Sequence, residues 1–596
     1  MLAGKSELLQ LPMLLSGFVA DVPIAIARCM VRMRVSQEGP KALTVNAVAG
    51  TYVVLLGMEV SDEARKGLLG FAIHRTDKTA REQYWLKGFK TFEATEPNPA
   101  PGTLVSTLEH PVQGFLWGDY TAKASNNYIY RVVPVYGDPR NLQYGDAVDV
   151  PVTTENEDNG AHAIYFNRGV AGSQAYARKF GNVSPAQAGP EAYKWLSRGV
   201  EEAIIAFIGK AKGKHFAIRA SAYEFSHKAV LAAFGAAAAS GADVKIVYDC
   251  RKKEPQETSN KAIAEAGIEA LMIPRKANPS YISHNKFIVL LKDGKPVEVL
   301  TGSTNFTDGG IYGQSNVVHI TRLSEVAAKY LQYWEQLAVD TPAVKLRPEN
   351  LKQTPDPVGD LSSGVHVVFS PRPSLNALQW YSGNIDQAQK LAGFTAAFGV
   401  NKLFADVLAR NSANMRYVLL EKPGPTYDEF KAVRNNLIAI GEVLDTNVIG
   451  DSALHRWLGE KLSGLNSFVN YVHTKYLFVD PMGANPTVIS GSANFSDAST
   501  TNNDENMLIV RGNCSVADIY LGEFMRLWSH FRFRDVAKRY SKVNANKAVG
   551  KAASAGIGDN VPYLAPDDSW IRTYYGENLA KVTERELLQG MHIPQQ

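Results

Sequence analysis

Residues 284–308 read HNKFIVLLKDGKPVEVLTGSTNFTD, and residues 473–497 read HTKYLFVDPMGANPTVISGSANFSD. Both stretches open on His-x-Lys, pass through an apolar run, turn, and close on Gly-Ser-x-Asn-Phe. The interval from His to Gly is 302 − 284 = 18 in one and 491 − 473 = 18 in the other. Two polar constellations in equal register point to a duplicated unit within one chain. Each copy reads as a hairpin, with the turn at Asp293-Gly294 in the first and at Pro481 to Asn485 in the second.

Upstream of each motif, strands and helices alternate, the pattern of an α/β layer structure. The first copy gives a helix around Ile204 to Ile208, a strand Phe216 to Ser221, a helix Lys228 to Ala239 and a strand Val244 to Tyr248. The second gives a strand Val365 to Phe369, a helix Leu375 to Leu391, a strand Gly393 to Gly399, a helix Lys402 to Arg410 and a strand Arg416 to Leu420. Before them, Leu43 to about Thr154 carries short alternating runs such as Thr51 to Met58, Leu69 to His74 and Tyr128 to Tyr136. That segment reads as a small all-β sandwich. The polar, acidic stretch Thr153 to Gly160 reads as the linker that closes it. The expected units are an N-terminal extension 1–42, the sandwich 43–155, a first half 161–355, a second half 362–540 and a C-terminal tail 541–596.

His and Lys two apart on a strand project to one face, with the residue between them turned away. The returning strand brings a hydroxyl, a carboxamide and backbone amides beside that pair. Fixed donors of this kind suit a phosphoryl group, whose transition-state charge spreads over its non-bridging oxygens. One copy supplies a single imidazole. Two copies face to face supply a nucleophile and a general acid, enough to form and resolve a covalent phosphohistidine.

On these residues the chain resembles the phospholipase D superfamily, whose motif is His-x-Lys, four residues, Asp, then Gly-Ser-x-Asn. The resemblance covers about Ala161 to Phe533. It implies a two-fold repeated α-β-α sandwich, metal-independent chemistry without a cofactor, and a phosphodiester substrate. Carried over by position, the catalytic set is His284, Lys286, Asn305, His473, Lys475 and Asn494, supported by Ser303 and Ser492. Tyr128 to Tyr136 and its neighbours loosely resemble a fibronectin type III domain.

The two copies are unequal. Asp480 stands seven residues after His473, whereas Leu291 holds that position after His284, with Asp293 two further on. Downstream the second copy offers Glu505 as an acidic partner to orient its His, and the first offers only Gln314. On this reading Glu505 serves His473 and makes it a reasonable nucleophile, while in the family the N-terminal His often has that role; the order stays open. Leu291 and Gln314 also motivate a rival reading, a binding protein that kept the fold and lost turnover.

Composition narrows the class. A chain of 596 residues with 45% hydrophobic and 20% charged content is of a globular, multi-domain kind. A net charge of +4 favours neither nucleic acid nor anionic lipid. Cys29, Cys250 and Cys514 lack disulfide or metal-site spacing. No apolar run is long enough to span a membrane. The run Leu8 to Ala20 is a weak signal-like segment interrupted by Pro12, so a cytoplasmic location is expected with export left open. Members of the family with both motifs in one chain typically act on lipids. That favours a phospholipid over the alternative, a nuclease, and fits a monomer touching membranes peripherally. Lys210, Lys212 and Lys214 read as exposed charge, and Tyr223, Phe225, Trp380 and Tyr381 as core.

Overall fold

Both motif segments fold as antiparallel hairpins, Lys286–Lys292 with Lys295–Gly302 and Tyr476–Val479 with Thr487–Gly491. Phe287, Val289 and Leu291 enter one apolar cluster, while Ile288 and Leu290 enter another on the opposite face. Tyr476 and Phe478 part from Leu477 and Val479 in the same way. The structure is a computed structural model describing residues 33–40, 43–97, 99, 103–169, 174–181, 183–251, 253–277, 280–441, 471–548, 563–576 and 578–594. The segment Leu8 to Ala20 and Cys29 lie outside the described residues.

Each hairpin sits in the middle of a seven-stranded sheet. The first runs His162–Phe166, Val317–Thr321, Lys295–Gly302, Lys286–Lys292, Phe216–Ala222, Asp243–Asp249, Met272–Arg275. The second runs Gly364–Ser370, Glu505–Arg511, Thr487–Gly491, Tyr476–Val479, Leu391–Ala396, Met415–Leu420, Asn436–Ile440. The two orders match strand for strand, so the duplication extends across both sheets. The crossover helix Lys228–Ala239 is rich in alanine, the best helix former, and buries Val230, Leu231, Phe234 and Ala237 on one face. It links Phe216–Ala222 to its parallel neighbour Asp243–Asp249. Apolar clusters on both faces explain why Met415–Leu420 is buried along its whole length. One core joins residues of both sheets with the helices Ser324–Ala338 and Cys514–Ala548.

The expected helix Leu375 to Leu391 is shorter, Asn376–Asp386, and the following strand starts early, at Leu391. Distant side chains decide both ends. The Asn414 carboxamide donates to the carbonyls of Ile385, Asp386 and Ala388, closing the helix terminus. Asp480 then accepts the N–H groups of Gln389, Lys390 and Leu391 and draws the chain into the sheet.

The N-terminal region forms two antiparallel sheets that share a core, with Val45, Ala47 and Leu56 on one side and Phe71, Ile73, Tyr130 and Val132 on the other. It starts before the expected boundary at Leu43, because Arg34–Glu38 pairs with Thr44–Ala49. The stretch expected to be a linker is packed against the rest of the chain: Glu155 is buried beside Asp518 and Arg34, and Glu157 accepts a hydrogen bond from the Tyr52 hydroxyl. Arg34 forms a buried ion pair with Asp518 of the long C-terminal helix at 2.7 Å. Beyond that helix the chain returns to the sandwich, where Trp570, Tyr574 and Tyr575 surround Phe115 with ring centroids 5.1–5.4 Å away. Among the described residues no helix is long and apolar enough to cross a membrane.

Candidate active site

Each Gly-Ser turn depends on a residue without a side chain. A Cβ at Gly302 would stand 2.1 Å from the Val317 carbonyl oxygen, and one at Gly491 equally close to that of Asn506. This close approach seats Ser303 and Ser492 against the next strand, and each reaches a polar residue there. Ser303 Oγ donates to Asn316 Oδ1 and Ser492 Oγ to Glu505 Oε2, both at 2.8 Å.

The motif histidines then meet the residues so held, but in the opposite half. His284 N–H donates to the Asp504 carbonyl at 2.9 Å, and His473 N–H to that of Ser315 at 3.3 Å. The return bonds run from Asp504 N–H to Ile282 and from Ser315 N–H to Tyr471, at 3.0 and 2.7 Å. Every pair is related by one offset: 473 − 284 = 504 − 315 = 471 − 282 = 189. The two halves therefore exchange the same bonds. His284 Nδ1 lies 2.9 Å from Glu505 Oε2, and His473 Nδ1 lies 2.9 Å from Asn316 Oδ1.

This corrects two expectations. Glu505 partners His284, not His473, and the equivalent of Glu505 in the first half is Asn316, not Gln314. Gln314 instead lends its backbone carbonyl to the Asn167 carboxamide, at 2.6 Å. The cause is the cross-half pairing of the strand ends, which carries each downstream loop away from its own histidine. Asn316 Nδ2 donates to the Gly310 carbonyl, so its Oδ1 faces the imidazole. Both rings thus carry a proton on Nδ1 and leave Nε2 as the reactive nitrogen.

Lys286 and Lys475 are buried beside them, and each ammonium donates to the carbonyl of its own histidine, at 2.6 and 2.5 Å. Burial lowers the Lys286 ammonium to about 7, against the pull of Glu505 and Glu224. Burial, with Lys286 next, holds Lys475 well below its ordinary range. Burial and the two lysines also keep both imidazoles well below theirs, hence neutral. The Glu505 carboxyl rises to about 7 by burial, opposed by Lys286. Asn305 and Asn494 close the group, each with a buried Oδ1 that has no hydrogen-bond partner.

Sequence reasoning missed five residues here. Asp249 at the end of its strand and Glu421 just after the matching strand Met415–Leu420 accept the N–H of Ser283 and Val472, both at 2.7 Å, fixing the chain just before each histidine. Counting from Gly-Ser finds Asn316, since 316 − 303 = 505 − 492 = 13. Tyr223, expected in the core, stands edge-on to His284 at 4.8 Å, with the Lys286 ammonium 5.1 Å from its ring. Glu224 accepts a hydrogen bond from Asn305 Nδ2 at 2.6 Å. The structure does place Phe225 and Tyr381 in the core.

Asp480 stays outside the group. It caps the start of Leu391–Ala396, and its backbone N–H donates to Leu391 O at 2.7 Å. Asp293 makes the same backbone bond to His215 O at 2.7 Å, and both aspartates have positive φ, 45° and 49°. Leu291, where the first motif departs, is buried core. That departure lies at the hairpin end, away from the histidines. Among the described residues no three His, Cys, Asp or Glu side chains gather as a metal site.

Residues 204–338 and 431–528 match the family described as "Cardiolipin synthase, PLD-like domain". Over these residues the chain is similar to phospholipase D-like domains. Its two matched segments bracket both halves of the site. No curated protein matches the chain. Among solved structures, phosphatidylserine synthase of Haemophilus influenzae Rd KW20 is 12% identical over 59% of this chain and 93% of its own, with a TM-score of 0.39. The phospholipase D family member Nuc of Salmonella typhimurium is 31% identical over 23% of this chain and 84% of its own, with a TM-score of 0.20. Polyphosphate kinase of Porphyromonas gingivalis is 15% identical over 53% of this chain, which spans only 46% of that enzyme, with a TM-score of 0.34.

Proposed function

We propose that this protein cleaves or exchanges phosphodiester bonds at one site shared by its two halves, in two steps and without a metal. The observation that carries the reading is the crossed support of the histidines. Each Nδ1 is held from the opposite half, so two Nε2 atoms are left beside the same pair of lysines.

Neutral His284 is the nucleophile in this scheme. Its Nε2 attacks phosphorus, an N–P bond forms, and the ester O–P bond breaks as the leaving oxygen takes a proton from His473 Nε2. Negative charge on the bound diester favours the protonated form of His473 that this step needs. Glu505 offsets the positive charge of the phosphoimidazole, which the neutral Asn316 cannot do for His473. Water or an alcohol then gives its proton to His473 and attacks, the N–P bond breaks, and His284 is freed. Lys286, Lys475, Asn305 and Asn494 receive the non-bridging oxygens.

For the substrate we favour a phospholipid, in keeping with the cardiolipin synthase description of the matched domain. One chain carries both histidines, so a monomer suffices. The sandwich, read as fibronectin-like, is then a positioning module bolted to the catalytic body through Arg34 and Asp518.

The test is to incubate purified protein with phospholipid vesicles, with and without added glycerol, and separately with single- and double-stranded DNA and RNA. Released head group or a new phosphatidyl alcohol, lost in His284→Ala, is the expected result. Cleavage of nucleic acid with lipid untouched overturns the substrate class. Inertness on all of these and on bis-p-nitrophenyl phosphate overturns the enzyme reading.

A further inference from the structure

Glu224 is a second acidic group, with Glu505, in a site proposed to receive an anion. Its carboxylate accepts from Asn305 Nδ2 at 2.6 Å and lies in the field of both Lys286 and Lys475. The duplication supplies a contrast. Ala220 pairs with Ile288, and Phe394 pairs with Leu477 in the second sheet. Four residues on from each strand position stand Glu224 in the first half and Phe398 in the second, because 224 − 220 = 398 − 394. Phe398 is 54% exposed and carries no charge. This carboxyl group of the site therefore comes from one half only.

Two lysines face two carboxylates, Glu224 and Glu505, and this arithmetic bears on what the site holds. A phosphodiester carries one negative charge, whereas a phosphomonoester at neutral pH carries nearly two. Electrostatic energy scales with ligand charge, so a carboxylate beside the phosphate disfavours a dianion twice as strongly, in free energy, as a monoanion. Burial raises the Glu224 carboxyl above its ordinary value, while Lys286, the hydrogen bond from Asn305 and Lys475 oppose that rise and favour the charged form.

Resting on the reading of this site as a phosphate site, we infer that Glu224 is its charge filter: it admits the monoanionic diester and disfavours the dianionic monoester. In a hydrolytic cycle the diester is the substrate and a monoester the product. Glu224 thereby favours product departure. It acts by charge on the bound phosphate and takes no part in making or breaking bonds.

The test uses two small probes with the full-length protein: diethyl phosphate, a monoanion, and methyl phosphate, largely a dianion at about pH 7. Affinities are read by phosphorus NMR titration for the unmodified protein, Glu224→Gln and Glu224→Asp. Glutamine keeps an oxygen to accept from Asn305 and removes the charge. It is expected to tighten diethyl phosphate by about threefold and methyl phosphate by about tenfold, the square of the first. Aspartate retains the charge and is expected to keep the original preference. A Gln variant that binds both probes equally tightly as before, or both more weakly, overturns the charge filter and leaves the phosphate site standing. An unmodified protein that binds neither probe overturns the phosphate-site reading and the filter with it. Thermal melts of the variants confirm that any change of affinity is measured on folded protein.

Discussion

His284 Nδ1 lies 2.9 Å from Glu505 Oε2, although 221 residues separate them and they belong to different halves of the chain. The matching partner of His473 is the neutral Asn316. A carboxylate against one imidazole and a carboxamide against the other makes the histidines chemically unequal, and the proposed division of roles rests on that inequality.

With bis-p-nitrophenyl phosphate the leaving nitrophenolate needs no proton, so the first step proceeds without a general acid. His473→Ala is expected to accumulate protein phosphorylated on His284, visible as added mass in intact-protein mass spectrometry. His284→Ala is expected to show no adduct. An adduct that forms only in His284→Ala reverses the two roles.

In the proposed scheme, removing the carboxylate of Glu505 leaves the phosphoimidazole charge unbalanced in a buried site. Glu505→Gln is expected to lower kcat on the order of 10²–10⁴-fold, by analogy with other carboxylate-supported histidines. Asn316→Ala removes a neutral partner and is expected to cost less. Equal losses in the two variants contradict the assignment of His284 as nucleophile.

The pH dependence follows from two opposed shifts. Glu505, raised to about 7, loses its charge as pH falls, and Lys286, lowered to about 7, loses its charge as pH rises. A profile of kcat/KM with a maximum near neutrality is expected, falling on both sides. Because these groups interact, the two apparent values belong to the cluster as a whole. Glu505→Gln is expected to remove the acidic limb and keep the alkaline one, which steady-state rates across the range check directly.

Much of this site was legible because the chain states it twice. The equal intervals located His284, Lys286, His473 and Lys475, and the hairpin reading placed each His and Lys at the start of its hairpin. Which loop serves which histidine was not legible, since the pairing of Ser283 with Asp504 and Ser315 with Val472 crosses between halves and has no trace in local pattern. Glu224 had no signal either, its counterpart being Phe398. The early end of the 376–386 helix is a tertiary effect, set by Asn414 and Asp480 from far along the chain. Glu155 lies in an acidic run that reads as a linker, yet it is buried beside Asp518 of the C-terminal helix.

Asp480 belongs to the motif, yet its carboxylate caps a strand outside the group of histidines and lysines. Its carboxylate satisfies three backbone N–H groups at the strand start Leu391, so Asp480→Ala leaves them unpaired. A loss of about 1–3 kcal/mol in stability is expected. At a temperature where the variant is folded, KM and kcat are expected to stay within about twofold of the unmodified enzyme, as surface-remote structural changes allow. A large fall in kcat without a fall in stability argues for a direct role in the reaction.

Glu155 joins the sandwich to the C-terminal helix as a buried carboxyl that is raised to about 8 by burial and by Asp518. Its folded value lies above its ordinary one of 4.5, so the folded state holds this proton more tightly than the unfolded chain does. The resulting stability is fully present below about 4.5 and is lost as pH rises through about 8. Glu155→Gln cannot lose that proton. The midpoint of thermal unfolding of the unmodified protein is therefore expected to fall relative to Glu155→Gln by a few degrees between about pH 5 and pH 8. Parallel curves across that range contradict a protonated carboxyl at this junction, and a gap that widens toward acid pH reverses the sign of the shift.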